Sequence, residues 1–218
     1  MTTYCSDIDL LFYEPNILRD AAFASQTLLS GTGQLAGTTF TISGSSFTDS
    51  KTAAGQVIVL GDPFAGCYPI ISIESGTSLT LSVLHDELFP VAGDPAPAPV
   101  GTAPDILFTI RTFWAQRVIV SELLSRSAGL DRSREGEVAP AILNPQVLRR
   151  ACALGTLQMI YSALSAASID PGPLSIRADI YERLYRRAIQ NTLVDIDLDG
   201  DGKPDATRCL GVLVLHRG

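Results

Sequence analysis

The stretch "AAGQVIVLGDPFAGCYPIISIESGTSLTLSVL" (53–84) decides the fold of the first half of the chain. It contains three short apolar runs that Gly, Pro and Asp residues separate, and these runs are residues 55–61, 67–76 and 77–84. In the last run Leu79 and Leu81 alternate with Thr80, as in a strand with one buried face. Because the residues before this stretch are rich in Thr, Ser and Gly, we predict a small β-barrel or sandwich over residues 26–91.

The remaining sequence has the periodicity of helices. We predict helices over residues 6–24, 113–128, 144–167 and 175–193. In each of the last three, apolar residues recur at spacings that place them on one inward face. These predicted inward positions are Val120, Leu123, Leu124, Leu154, Leu157, Tyr161, Leu164, Ile176, Ile180, Leu184 and Ala188.

The helix at 6–24 has too little apolar area to be stable alone, so we predict that it packs with the three later helices as one bundle. The predicted fold class is α+β: an α-helical bundle with an inserted small β-barrel or sandwich domain and a C-terminal strand-like arm. The predicted parts are the bundle (1–25 and 106–194), the β domain (26–91), a Pro-rich linker (92–105) and an acidic loop with the C-terminal arm (195–218).

Composition and charge exclude several classes of function. Charged residues make up 18% of the chain, which is low for a solitary soluble protein and suggests that partners cover part of its surface. The net charge of −7 argues against ordinary nucleic-acid binding. The charge is uneven, since residues 1–110 hold eleven acids and two bases, whereas residues 111–218 hold twelve acids and fourteen bases. An acidic surface and a basic surface serving different neighbours is one interpretation of this asymmetry.

Targeting and cysteine patterns favour a soluble protein in a reducing compartment. The N-terminal "MTTYCSDID" lacks the basic and apolar regions of a signal peptide, and no apolar stretch is long enough to span a bilayer. The four cysteines are scattered without a CxxC pair, which is not typical of a disulfide scaffold or a zinc site. We interpret Cys152, on a predicted helix, as a small buried hydrophobe.

The sequence offers no catalytic constellation. The motifs GxSxG and GxxxxGK[ST] do not occur, and neither His85 nor His216 has an acid and a nucleophile together nearby. We interpret His85-Asp86-Glu87 as a solvated turn rather than as a metal-facing group. "GTGQLAG" (31–37) lacks the βαβ context of a dinucleotide loop, so we interpret it as a turn. We therefore predict a protein that is not an enzyme and that has no cofactor.

The acidic stretch "DLDGDGKPDATR" (197–208) matches most of an EF-hand-type calcium loop. Aspartates occupy positions 1, 3, 5 and 9, and Gly202 stands at position 6, where the loop turns tightly. Position 12 is Arg208 rather than a bidentate Glu, and the expected helix does not follow. A calcium site and a polar tether both remain open, and we interpret the stretch first as a tether, with no metal site.

The C-terminal segment after this stretch is apolar on both of its faces. Val212 and Val214 would point to one side of a strand, and Leu213 and Leu215 to the other. Such a strand has to be buried on both faces, which suits its addition to the sheet of a partner. Pairing within the chain's own β domain is the alternative. We predict that the binding residues are Leu210, Val212, Leu213, Val214 and Leu215.

Four segments together resemble the head-to-tail adaptor proteins of tailed bacteriophages and gene transfer agents. They are "SDIDLLFYEP" (6–15), "NPQVLRRACALGTLQMIYSAL" (144–164), "DIYERLYRRAI" (179–189) and the acidic stretch before the apolar strand, and they cover roughly half of the chain. The resemblance implies a virion protein, assembled in the host cytoplasm, that forms a homo-oligomeric ring, commonly of twelve subunits, beneath the portal.

The resemblance also implies the partners of this ring. The C-terminal arm would reach the portal protein, neck or tail proteins would bind below, and DNA would pass through the exit channel without sequence-specific binding. No membrane contact and no catalytic residue are implied. Two alternatives remain open: a calcium-dependent surface or adhesion module built on the β domain, and a neck stopper or tail-completion protein.

Overall fold

A computed structural model of the chain describes residues 3–85, 88, 96–130 and 141–211. Its internal contacts divide the chain into two units. Ser6–Phe113 form the first, here called the barrel unit, and Met1–Cys5 with Trp114–Gly218 form the second, here called the helical unit. No helix within the described ranges combines the length and the apolar character needed to cross a membrane.

The short apolar runs of the first half form strands. Side chains of Thr39–Ile42 and Ser78–Leu81 alternate between buried and half-buried positions, whereas Val57–Leu60 is buried throughout. The strands are β1 (Thr27–Gly37), β2 (Thr39–Ile42), β3 (Val57–Leu60), β4 (Gly66–Ser75), β5 (Ser78–Leu81) and β6 (Gly101–Arg111). They form a closed antiparallel barrel in the order β1-β2-β5-β4-β3-β6. The predicted strands at 55–61, 67–76 and 77–84 are confirmed by β3, β4 and β5.

The barrel interior is filled by apolar side chains from all six strands. The Phe108 ring meets the ring of Phe40 edge-on, with centroids 5.2 Å apart. The buried core comprises Leu35, Phe40, Ile42, Phe47, Ile58, Leu60, Ile70, Leu79, Leu81, Ile106, Phe108 and Ile110. A Cβ atom at Gly33 would lie 2.4 Å from the Phe40 Cζ atom, so only glycine fits there. The segment "GTGQLAG" is therefore part of β1, and its interpretation as a turn is wrong.

The N-terminal helices belong to the barrel unit. They are α1 (Asp7–Leu11) and α2 (Ile17–Asp20). The buried Asp7 carboxylate accepts hydrogen bonds from the Thr112 hydroxyl at 2.6 Å and from the Phe113 amide at 3.0 Å, directly after β6. These charge-assisted bonds tie the start of the unit to its end.

The predicted fold class, an α-helical bundle with an inserted β-barrel or sandwich domain and a C-terminal strand-like arm, is wrong. The chain is a mixed α/β protein with a closed six-stranded antiparallel barrel and a few helices. The N-terminal helices instead belong to the barrel unit, where α2 packs against β3 and β4 and where Leu10 and Leu18 are buried residues. The strand β6 covers residues that we predicted to end the linker and to begin the bundle. Its side chains alternate, and Ile106, Phe108 and Ile110 are buried.

The helical unit combines three helices with a small sheet. The helices are α3 (Trp114–Ser127), α4 (Arg149–Ala167) and α5 (Gly172–Gln190), and the antiparallel sheet has the order β7 (Ala141–Ile142), β8 (Leu193–Asp197) and β9 (Ala206–Cys209). The three predicted later helices are confirmed. α4 packs against both α3 and α5. Its predicted inward residues Leu154, Leu157 and Tyr161 are buried, as are Val120 and Leu124 of α3.

The three helices come close together at Gly155 of α4. A Cβ atom at this position would lie 2.9 Å from Val120 Cγ1 and 2.9 Å from Tyr185 Cε2. One turn and a half further along α4, the ring of Tyr161 stacks on the ring of Tyr181 of α5, with centroids 5.6 Å apart. Glycine at position 155 therefore sets the distance between α4 and its two neighbours.

We expect Gly155→Ala to destabilise the chain by about 1–3 kcal/mol, because the added methyl group overpacks the junction of the three helices. This change lowers the Tm by about 5 °C when unfolding is followed by far-ultraviolet circular dichroism. Gly172→Ala is the matched control, since its Cβ atom would lie 3.6 Å from its nearest neighbour, Asp170 Oδ1. Equal Tm values for the two variants would contradict this account of the packing.

Candidate functional site

Large apolar side chains are exposed on the helical unit. Within the ranges that the structure describes, this unit contributes ten of them, and the barrel unit contributes one, Leu107. The ten are Trp114, Ile119, Leu123, Leu143, Val147, Ile169, Ile176, Ile180, Leu193 and Leu198. Single exposed apolar residues are common on soluble proteins, but such a concentration on one unit indicates an interaction surface.

Two pairs of these residues form apolar faces on helices. On α3, Ile119 and Leu123 are 46% and 45% exposed, and on α5, Ile176 and Ile180 are 61% and 40% exposed. Residues four apart lie one above the other on a helix, so each pair forms a continuous stripe. We call these stripes the α3 face and the α5 face.

The prediction that Leu123, Ile176 and Ile180 point inward is wrong. On α5, Ala178 and Tyr181 are buried instead. The tyrosine side of α5 packs inward because the Tyr181 ring stacks on Tyr161 of α4. The sequence signal was a second stripe on α5, formed by Ala178, Tyr181 and Tyr185, and periodicity alone does not say which stripe is buried.

Charged groups border the α5 face. Arg186 pairs with Glu182 one turn earlier along α5, as the sequence spacing predicts. The guanidinium of Arg177 lies 5.5 Å from the Tyr161 ring centroid and donates a hydrogen bond of 2.9 Å to the Tyr161 hydroxyl. An apolar centre with a charged rim is the usual anatomy of a protein–protein interface.

The acidic stretch forms the loop of a β-hairpin between β8 and β9. The Asp197 carboxylate is buried at the end of β8 and accepts backbone N–H bonds from Gly200 at 2.6 Å and from Gly202 at 2.8 Å. These two bonds hold the pKa of Asp197 below its ordinary value. Paired strands flank the loop and its own carboxylates order it, so the stretch is a hairpin loop rather than the polar tether that we predicted.

Part of the calcium-loop pattern is present in space. Carboxylate oxygens of Asp197, Asp199 and Asp205 lie within 4.8 Å of one another, an arrangement that can offer three ligands to a hard cation. Asp201 is directed elsewhere, since its oxygens face the backbone N–H and the Nζ atom of Lys203. Arg208, at position 12 of the pattern, donates a 2.7 Å hydrogen bond to the carbonyl of Ala128 and supplies no ligand.

The predicted binding residues lie at and beyond the end of this hairpin. Leu210 follows β9, its side chain is buried, and its N–H donates to the Thr192 carbonyl at 3.1 Å. The other four, namely Val212, Leu213, Val214 and Leu215, lie outside the described residues. A contact of these five residues with a partner stays a prediction.

Comparisons of the chain with protein-family models, with curated proteins and with solved structures find no match. The two helix faces, the carboxylate loop and the end of the hairpin are therefore the observations from which function has to be argued.

We expect Asp197→Asn to lower the Tm at neutral pH, because the neutral amide accepts the Gly200 and Gly202 bonds less strongly than the carboxylate does. A carboxyl with a lowered folded-state pKa stabilises the fold above its unfolded-state pKa, here near the ordinary value of 3.8. The stabilisation is lost as the pH falls through the folded-state pKa.

The difference in Tm between the native chain and Asp197→Asn should therefore shrink as thermal unfolding is repeated at decreasing pH below 3.8. Asp201→Asn serves as the control in the same loop, because Asp201 is exposed and accepts one backbone bond, from Lys203. A difference for Asp197→Asn that stays the same over this pH range would show that its charge does not order the loop.

Proposed function

We propose that the chain is a structural subunit of the head-to-tail adaptor ring that joins the portal of a tailed bacteriophage to its neck or tail. The observation that carries the proposal is the pair of exposed apolar faces on α3 and α5. The sequence resemblance of the helical segments to adaptor proteins supports the same conclusion. The helical unit, rather than the predicted four-helix bundle, would form the wall of the ring.

Two different faces on one subunit favour a ring over a two-fold dimer. A two-fold dimer uses the same patch on both copies, whereas a ring joins one patch to a different patch on the next copy. The α3 face and the α5 face lie on two separate helices that both pack on α4, so each subunit has two distinct apolar stripes. In this proposal the α5 face of one copy contacts the α3 face of the next, commonly in a ring of twelve.

The charge distribution suits a channel that DNA passes without being held. The barrel unit, Ser6–Phe113, contains eleven acidic and three basic residues, a net charge of −8. A surface with this excess of negative charge repels the phosphate backbone of DNA, and it lacks the basic patch that nucleic-acid binding requires. The proposed location is the virion, and the proposed role is structural rather than enzymatic.

The portal contact is assigned to the residues after the hairpin. In the described sheet β8 is central, and β9 is an edge strand. The apolar residues 212–215 follow β9 in the sequence, and a two-sided apolar segment suits strand addition to a partner's sheet. Because Cys209 belongs to β9 and Leu210 is buried, a truncation that tests this contact has to begin after Gly211.

The calcium-dependent surface or adhesion module is the second candidate, and the three clustered carboxylates are the observation that favours it. We rank it lower because the same oxygens accept backbone hydrogen bonds within the loop, from Gly200 and Gly202 to Asp197 and from Leu198 to Asp205. A neck stopper or tail-completion protein is the third candidate, and the closed barrel is the observation that favours it.

We expect Ile176→Glu and Ile180→Glu to abolish the ring, because each places a charge in the centre of the apolar interface. Native mass spectrometry of the chain, alone and with the portal protein of the same phage, measures the number of subunits. Leu107→Glu, at an exposed apolar position of the barrel unit, is the matched control and should leave the ring intact. A monomer under both conditions would contradict the ring.

We expect deletion of residues 212–218 to leave both the fold and the ring intact and to weaken portal binding at least tenfold in a pull-down with the purified portal protein. Circular dichroism and native mass report on the fold and on the ring. A variant with Val212, Val214 and Leu215 replaced by serine tests the apolar contact at constant length. Portal binding at native strength by both variants would refute the assignment of the portal contact to the arm.

A further inference from the structure

The N-terminal segment of the helical unit is held in place by α3. The Tyr4 amide donates to Ser121 Oγ at 3.1 Å, and the Tyr4 hydroxyl shares a 2.7 Å hydrogen bond with Ser125 Oγ. The buried Arg117 guanidinium donates to the Cys5 carbonyl at 2.8 Å. These three contacts fix the backbone of residues 4 and 5, and with it the position of the Cys5 side chain.

Cys5 lies directly against Cys152 of α4. Both residues are buried, and their sulfur atoms are 2.7 Å apart. A disulfide bond of about 2.05 Å would require the two sulfurs to approach by a further ~0.7 Å. The other cysteines are placed differently: Cys67 lies on β4 of the barrel unit, and the Cys209 thiol donates to the Gln190 carbonyl.

The surroundings of Cys152 favour its thiolate. The hydrogen bond from the Cys5 thiol lowers the pKa of Cys152, the Ser121 hydroxyl and the Arg117 charge act in the same direction, and burial opposes them without reversing the shift. The thiolate, rather than the thiol, is the nucleophile in cysteine oxidation. The pair therefore combines a thiol of lowered pKa with a second thiol in contact with it, as in a peroxide-sensitive cysteine and its resolving partner. Because both residues are buried, only a small oxidant can reach them.

We propose that Cys5 and Cys152 are a redox site, at which a small peroxide drives formation of a disulfide between the N-terminal segment and α4. The Cys152 thiolate attacks one peroxide oxygen, the O–O bond breaks, and Cys152 becomes a sulfenic acid as hydroxide leaves. The Cys5 sulfur then attacks the Cys152 sulfur, the S–O bond breaks, and the second oxygen leaves as water after taking up the Cys5 proton. The hydroxide takes up the proton that Cys152 released on forming its thiolate, so that two thiols lose two electrons in total and one hydrogen peroxide is reduced to two waters.

This site is independent of the proposed ring, and it gives the two cysteines a role beyond that of the buried hydrophobe predicted for Cys152. Cys5 is the last residue of the helical unit before the barrel unit begins at Ser6. The disulfide would close a loop between residues 147 positions apart, which restricts the unfolded chain strongly. Oxidation should therefore raise the Tm by about 5–10 °C.

The test treats the native full-length chain with hydrogen peroxide, blocks the remaining thiols with N-ethylmaleimide in denaturant, and measures the intact mass and the tryptic peptides. We expect two rather than four blocked cysteines, and a link between the peptides of residues 1–19 and 151–177 that reduction breaks. Cys67→Ser and Cys209→Ser should retain the link, and Cys5→Ser and Cys152→Ser should lose it.

Peptide mapping of the native chain gives the answer even where a serine variant fails to fold. The same oxidation in urea should distribute the pairing over all four cysteines, which shows that the native fold selects Cys5 and Cys152. Four blocked cysteines after peroxide treatment would overturn the proposal. So would links that mainly involve Cys67 or Cys209, or sulfinic acid at Cys152 without any link.

Discussion

The pairing of β1 with β6 is the constraint on which the first half of the chain depends. These strands pair from Thr27 and Arg111 at one end to Gly37 and Gly101 at the other, so that the first and the last strand close the barrel. Closure satisfies both strand edges and encloses one apolar core. It also places Thr112 and Phe113, directly after β6, where they donate hydrogen bonds to Asp7, which fixes the N-terminal helices to the same unit.

The two units differ in how completely they bury their own apolar surface. The barrel encloses its aromatic and aliphatic residues and, among its described residues, leaves one large apolar side chain, Leu107, exposed. The helical unit buries one side of α5 against α4 and leaves Ile176 and Ile180 on the other side exposed to solvent. Exposed apolar side chains are unfavourable in water, and association of copies through the α3 and α5 faces would bury them. Our proposal therefore assigns assembly to the helical unit.

Local sequence patterns predicted the strands and helices themselves better than they predicted which elements pack against one another. The β-branched runs around 57–60 and the apolar spacing along α4 are enough to predict a strand and a helix. The prediction divided β6 between the linker and the bundle and left a strand and an extended entry into a helix open for "ILFTIRTF" (106–113), because the strand character of β6 depends on pairing with the distant β1. The same limit applies to the candidate site, since the sequence shows two stripes on α5, and the choice between them depends on the stacking of Tyr181 on Tyr161.

Arg208 constrains how this hairpin can change in evolution. It stands where a calcium loop needs a bidentate acid, and it donates to the carbonyl of Ala128, directly after α3. A positive charge at the C-terminal end of a helix also interacts favourably with the negative end of the helix dipole, whereas the negative charge of a glutamate would be repelled by it. Replacement of Arg208 by glutamate would thus destabilise the end of α3. A lineage moving towards tight calcium binding would first have to acquire another donor for that carbonyl, which fixes the order of the two mutations.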